Sequence, residues 1–404
     1  MPITQPKIAH SGGRNAESNA LRNTLANSGV TDPRDGKPFS EELLFGIAGG
    51  IGAGYFMFQY KGWPGWAYVA GRHLWQDNTA YYKNVCARLG LSAKFSESSG
   101  GKGALDDLRK ALESGPVIAW CDLASLPYYG APPFFKKGGY HTITIYSIDE
   151  AAGTALIGDR AKPAITISLS DLAASRGAIT SYKNRLLSIT PGKKPIDIKK
   201  AVADGIRACY TELAKGRISN FRLDAFKNLT LAMNNAKAKD GWPKALPPGQ
   251  SLFGAQLGFY LFIERYGTGG GLYRAMYSAY LEEAAVILSK KEIAAIARDY
   301  RALAKQWTNL ARAMLPKDIK PFNESRELID AYEKTLLAKG ADGAKDLAKI
   351  VSELSAIYRT MKSVHPFIKS GSEEFYTQLH EQMNAIYEGE IAALAALQNA
   401  VPAK

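Results

Sequence analysis

The chain has 404 residues, 46% of them hydrophobic, with 51 lysines and arginines against 38 aspartates and glutamates, a formal net charge of +13. That length and apolar content predict two globular domains with sizeable cores, and no apolar run approaches the roughly 18 residues that span a bilayer, so no membrane is expected. Cys86, Cys121 and Cys209 are an odd, sparse set without metal-ligand spacing, which argues against a disulfide framework and a metal site and for a reducing, cytoplasmic compartment.

The opening MPITQPKIAH lacks an apolar signal core and reads as an extended lead-in. Residues 11–30, SGGRNAESNALRNTLANSGV, read as a glycine-bearing turn entering a helix: Ala20, Leu21, Leu25 and Ala26 recur at helical spacing and Asn27-Ser28-Gly29 stops it. After the turn cluster TDPRDGK, Ser40 caps a second helix that has Glu42 in its first turn. Gly46, Gly49, Gly50, Gly52 and Gly54 follow without the Lys-Ser/Thr pair of a phosphate loop, and are expected to allow tight packing against the first helix. The aromatic and basic stretch with Trp63, Trp66, Tyr68, Arg72, His73 and Trp75 is either a groove lining or core. Residues 77–89 and 105–113 read as helices, with Cys86 on the apolar side of the first.

PVIAWCD at 116–122 is a buried strand, and a thiol inside it, Cys121, lacks the helix amino terminus that favours a thiolate. YHTITIYSI at 140–148 alternates as a strand, preceded by the loop KKGG, and residues 155–157 form the next strand, ending at Gly158-Asp159-Arg160. A hairpin of these two strands brings His141, at the start of the first, to Asp159, at the end of the second. A carboxylate so placed holds an imidazole in one tautomer. Strands at 165–168 and 186–189 complete the sheet, with Ser170 capping a helix between them, and PGKKP is a linker. Beyond it the pattern is helical: 197–215, 219–236, 250–266, 270–288, 290–314, 324–338, 343–363 and 372–399. The glycine-rich helix entry GTGGGLYR, with Arg274, is a candidate anion site, the alternative being Arg274 paired to Glu282 or Glu283. The tail EGEIAALAALQNA reads as a packing surface or a homodimer contact.

GRNAESNALRN, FSEELLFGIAGGIGAGYF, LESGPVIAWCDLASLPYYG and YHTITIYSIDEAAGTALIGDR, in that order, resemble the amino-terminal domain of the BtrH-type (butirosin-biosynthesis) acyltransferases. GWPKALPPGQ and ERYGTGGGLYRAMYSAYLEEAA resemble the helical domain that commonly follows it. The resemblance implies an α+β chain: a papain-like, cysteine-protease-type domain over 1–192, then an all-helical domain over 193–404 that covers the active-site cleft. The family has His-Cys or a similar pair where this chain has Asn15-Ala16, so the nucleophile position carries alanine. An engineered Cys→Ala change is the leading account and a natural loss of the nucleophile the other.

With cysteine at 16, the resemblance implies His141 as base, Asp159 as its orienting carboxylate, and an oxyanion held by the amide of residue 16 and a second donor, Asn15. His10, six residues before Ala16, is a further oxyanion candidate; Glu42, Asp122, Tyr128 and Tyr129 match the family pattern and are candidates for substrate binding. The expected reaction moves an acyl group from an acidic acyl carrier protein to a small-molecule amine, with no cofactor. The basic charge would steer that carrier. The lysines are scattered along helices rather than packed into one run, so solvated helix faces are expected and nucleic acid is not. A hydrolase or peptidase, a cyclising or dimerising thioesterase, and an inactive carrier- or ligand-binding pseudoenzyme remain as alternatives.

Overall fold

The structure, a computed structural model, describes residues 8–62, 64–130 and 139–403. Trp63, the lysines of the KKGG loop and the first seven residues of the lead-in lie outside them. The chain is α+β, with an amino-terminal sheet domain and an all-helical carboxy-terminal region. It divides into two compact units, each assembled from three sequence stretches: Met1–Leu44, Val85–Asp197 and Tyr332–Val351 in the first, Phe45–Asn84, Ile198–Ala331 and Ser352–Lys404 in the second.

The strands are β1 (Ile51–Phe58), β2 (Trp66–Arg72), β3 (Ser92–Ser96), β4 (Val117–Asp122), β5 (Tyr140–Asp149), β6 (Thr154–Gly158), β7 (Ile165–Ser168) and β8 (Leu186–Thr190). The first five helices are α1 (Ala16–Asn27), α2 (Glu41–Ala48), α3 (Ala80–Leu89), α4 (Gly101–Leu112) and α5 (Leu169–Gly177).

In the first unit six strands form one antiparallel sheet in the order β3-β8-β4-β5-β6-β7. Its chemistry follows strand position. Central β4, VIAWCD, is buried at every residue, while edge strand β3, SAKFS, is mostly exposed. The β5–β6 hairpin forms as its alternation predicts, with a bulge between Ile145 and Ser147. Helix α1 lies along β5: Thr144 Oγ1 donates to the Ala20 carbonyl at 3.0 Å and sits 3.4 Å from Thr24 Oγ1. Much of what α1 buries is polar. Asn19 and Asn23 Nδ2 both donate to the Ser11 carbonyl, and Arg22 donates to the Gly12 carbonyl at 2.7 Å, so side-chain amides strap the entry segment to the helix. Ser168, rather than Ser170, caps α5 through the Asp171 amide.

The second unit holds the β1–β2 hairpin and helices drawn from the rest of the chain. Here the glycine run departs from expectation. A Cβ on Gly46 would enter the Tyr280 ring, one on Gly49 the His73 ring, and one on Gly50, at φ +64°, the Tyr277 ring. These glycines therefore make room for aromatic side chains of the second unit, not for α1, and the later ones build strand β1. The final helix, Glu373–Ala400, packs Ile386, Leu394 and Leu397 within the same unit. Among the described residues no helix is long and apolar enough to cross a membrane.

Candidate active site

The first turn of α1 is built before any chemistry is asked of it. Asn15 is the N-cap, extended at φ −115° and ψ 133°, and its Oδ1 accepts from the Ser18 amide at 2.9 Å. Glu41 fixes the turn from below: its carboxylate accepts from the amides of Arg14 at 2.9 Å and Asn15 at 3.3 Å and from the Ser18 hydroxyl at 3.0 Å. Burial pushes the Glu41 carboxyl above its ordinary range, against the pull of these donors. The Gly13 amide donates to the Arg160 carbonyl at 2.9 Å, which ties the entry segment to the chain just beyond β6. Ala16 is thereby set as the first helical residue, partly exposed, where helix amides have no intrahelical acceptor and the dipole is positive. Glu17 accepts from the Tyr140 hydroxyl at 2.8 Å. The opening turn of α1 and the opening of β5 thus meet through the neighbours of Ala16 and His141.

On β5, His141 faces Cys121 across the ladder and is buried. Its Nε2 lies 2.9 Å from Asp159 Oδ1 and 3.0 Å from Oδ2. An Nε2 proton held by that carboxylate leaves the lone pair on Nδ1, which has no hydrogen-bond partner among the described residues. Asp159 also accepts from the Tyr128 hydroxyl at 2.8 Å and the Arg160 amide at 2.7 Å. Burial alone would raise its pKa, but His141 and these two donors hold the carboxyl below its ordinary value. The Tyr129 hydroxyl stands 3.3 Å from His141 Nε2, its ring edge-on to the imidazole. The Tyr129 carbonyl accepts from the Tyr332 hydroxyl, and Arg160 pairs with Glu333, so residues far along the chain brace the same corner of this unit.

Asp122 is spent on structure: Oδ1 accepts from the Gly139 amide at 2.9 Å and Oδ2 from the Ser125 hydroxyl at 2.7 Å, fixing both ends of the 123–139 connection. His10 does not reach the first turn of α1. Its Nδ1 is 2.8 Å from the Tyr146 hydroxyl and its Nε2 is 3.1 Å from the Ala161 carbonyl. Burial lowers its pKa. Among the described residues Glu42 makes a 3.6 Å ion pair with exposed Arg14, and its neighbour Glu41 is the carboxylate that shapes the turn. Arg274 is not an anion site. It is fully buried in the second unit, where Nε donates to Glu390 at 2.6 Å and the other nitrogens to the carbonyls of Gly52, Gly71 and Leu272. Its partner is thus neither Glu282 nor Glu283. Cys121 is fully buried and its thiol is pushed up to about 12, an inert thiol rather than a nucleophile.

The residues that the sequence reading passed over are Glu41, Glu17, Ser18 and Tyr140. Adjacent glutamates at the start of a helix differ by about 100° in direction, and the sequence does not say which of the two turns inward.

Residues 15–160 match the family described as butirosin biosynthesis protein H, N-terminal. Over that stretch the amino-terminal part of the chain is similar to this BtrH-type family. The BtrH-type match opens at Asn15 and closes at Arg160, so Ala16, His141 and Asp159 all fall inside it. Residues 168–331 match a domain of unknown function, DUF4872. No curated protein matches the chain.

Proposed function

We propose that this chain is the scaffold of a papain-like, cysteine-dependent acyltransferase of biosynthesis, which moves an acyl group from a carrier-protein thioester to an amine, written here with its nucleophile replaced by Ala16. The observation that carries the reading is the buried His141–Asp159 pair, bonded through Nε2 so that Nδ1 keeps its lone pair, on a strand that opens beside the first turn of α1. The BtrH-type match and the family's link to natural-product biosynthesis supply the reaction class.

With cysteine at 16, His141 Nδ1 takes the thiol proton and Asp159 stabilises the imidazolium. The thiolate attacks the thioester carbonyl, and the oxyanion sits against amides of the α1 amino terminus. The carrier thiol leaves with the proton from His141, giving an acyl-enzyme. An amine then attacks, His141 accepts its proton, and the amide departs with the thiol restored. No cofactor enters these steps. With alanine at 16, the base and its carboxylate remain but no covalent intermediate can form.

Ala16→Cys protein incubated with an acyl-carrier thioester and a panel of amines should yield amide, detected by mass spectrometry. Free acid alone across the panel would support the hydrolase reading instead.

A further inference from the structure

A cavity of about 420 Å³ lies between α4 and α5 in the first unit, lined by residues that the proposed chemistry does not use. Leu105, Leu108 and Leu172 form an apolar wall. Arg176 lines the same space. It is only 3% exposed, and its guanidinium donates to carbonyls alone: to Ala104 O at 3.4 Å from both terminal nitrogens, and to Asn184 O at 2.9 Å. Its Nε has no hydrogen-bond partner, and no carboxylate pairs with it among the described residues. The buried Arg160 and Arg274 are different, being closed by Glu333 and Glu390. A buried cation with no carboxylate in direct contact is an expensive arrangement, Asp107 acting on it only from a distance, and the cavity opens beside it. Burial accordingly drags the Arg176 pKa down.

The start of α4 adds a second feature. The segment SSGGKG at 98–103 leads into the helix, Gly100 is its N-cap with no side-chain bond to the first turn, and a Cβ on Gly100 or Gly101 would meet nothing within 4 Å. Gly101 and Ser99 line the cavity, so open helix amides border the space that Arg176 borders. Lys183 and Asn184, both left-handed at φ +49° and +50°, form the neighbouring turn. That turn is locked to the glycine segment by Ser98 N to Lys183 O at 2.7 Å and Asn184 Nδ2 to Ser98 O at 2.9 Å.

We propose that this cavity binds an organic anion, its carboxylate or phosphate head on Arg176 and the first amides of α4 and its aliphatic body against the leucine wall. The test is calorimetric titration of the full chain with octanoate, octyl phosphate and the neutral 1-octanol. One or both anions should bind and 1-octanol should bind at least about tenfold more weakly, the tighter anion naming the head group. Arg176→Met should weaken the anion roughly tenfold or more. Leu105→Glu, at a partly buried position on the cavity wall, should do the same by repulsion and answers the question if Arg176→Met does not fold. Failure of both anions to bind, equal binding of 1-octanol, or unchanged anion affinity in Leu105→Glu would each overturn the proposal.

Discussion

Asp159 is a buried carboxylate that keeps its charge because three donors face it: the imidazole of His141, the hydroxyl of Tyr128 and the amide of Arg160. Its pKa is lower in the fold than in the unfolded chain. The linked stability is therefore complete above the unfolded value, about 3.9, and is lost as pH falls through the lower folded value. Urea unfolding at pH 6 and pH 3 should show a smaller acid-side loss for Asp159→Asn than for the parent chain. An equal loss in both would mean that the carboxylate is not held by these donors. At this scale the sequence was partly readable. His141 and Asp159 were legible because a strand start and the end of its hairpin partner must be neighbours. Glu41 and the Tyr140–Glu17 bond were not, since both depend on side-chain direction at helix starts that period and composition leave open.

Among the elements, α1 carries the most consequence, because its cap, its strapped entry segment and its bond to β5 all set the position of residue 16. Asn15→Ala removes the cap on the Ser18 amide and should cost about 1 kcal/mol, readable as a lower urea midpoint at unchanged slope. Helix α1, the β5–β6 hairpin and nearly all the carboxy-terminal helices were legible in apolar periodicity and glycine stops. Strand β3 was not, because an edge strand with Ser92, Ala93 and Lys94 exposed lacks apolar alternation. Strand β1 was hidden by its glycines: Gly52 lies against the backbone of Arg72 and Gly54 against Trp75, so side-chain alternation is broken where the partner comes close. The Arg274 reading failed for a related reason. A glycine-rich helix entry looks open in sequence, but here left-handed Leu272 and Tyr273 turn the chain so that the arginine faces inward to Glu390.

For the molecule as a whole, the net charge of +13 bears on the partner more than on the fold. If an acidic carrier delivers the acyl group, kcat/KM of the Ala16→Cys enzyme should fall several-fold between roughly 50 and 300 mM salt with the carrier-bound donor. A small uncharged thioester donor should show no such fall, and equal salt dependence with both donors would remove steering from the account. The central claim concerns one thiol, the one that Ala16→Cys introduces, and the pH dependence of its alkylation by iodoacetamide tests that claim most directly. The account predicts an apparent pKa well below the free-thiol value of about 8.5, returning toward it in the Ala16→Cys/His141→Ala double variant. A thiol that titrates near 8.5 with or without His141 would contradict it.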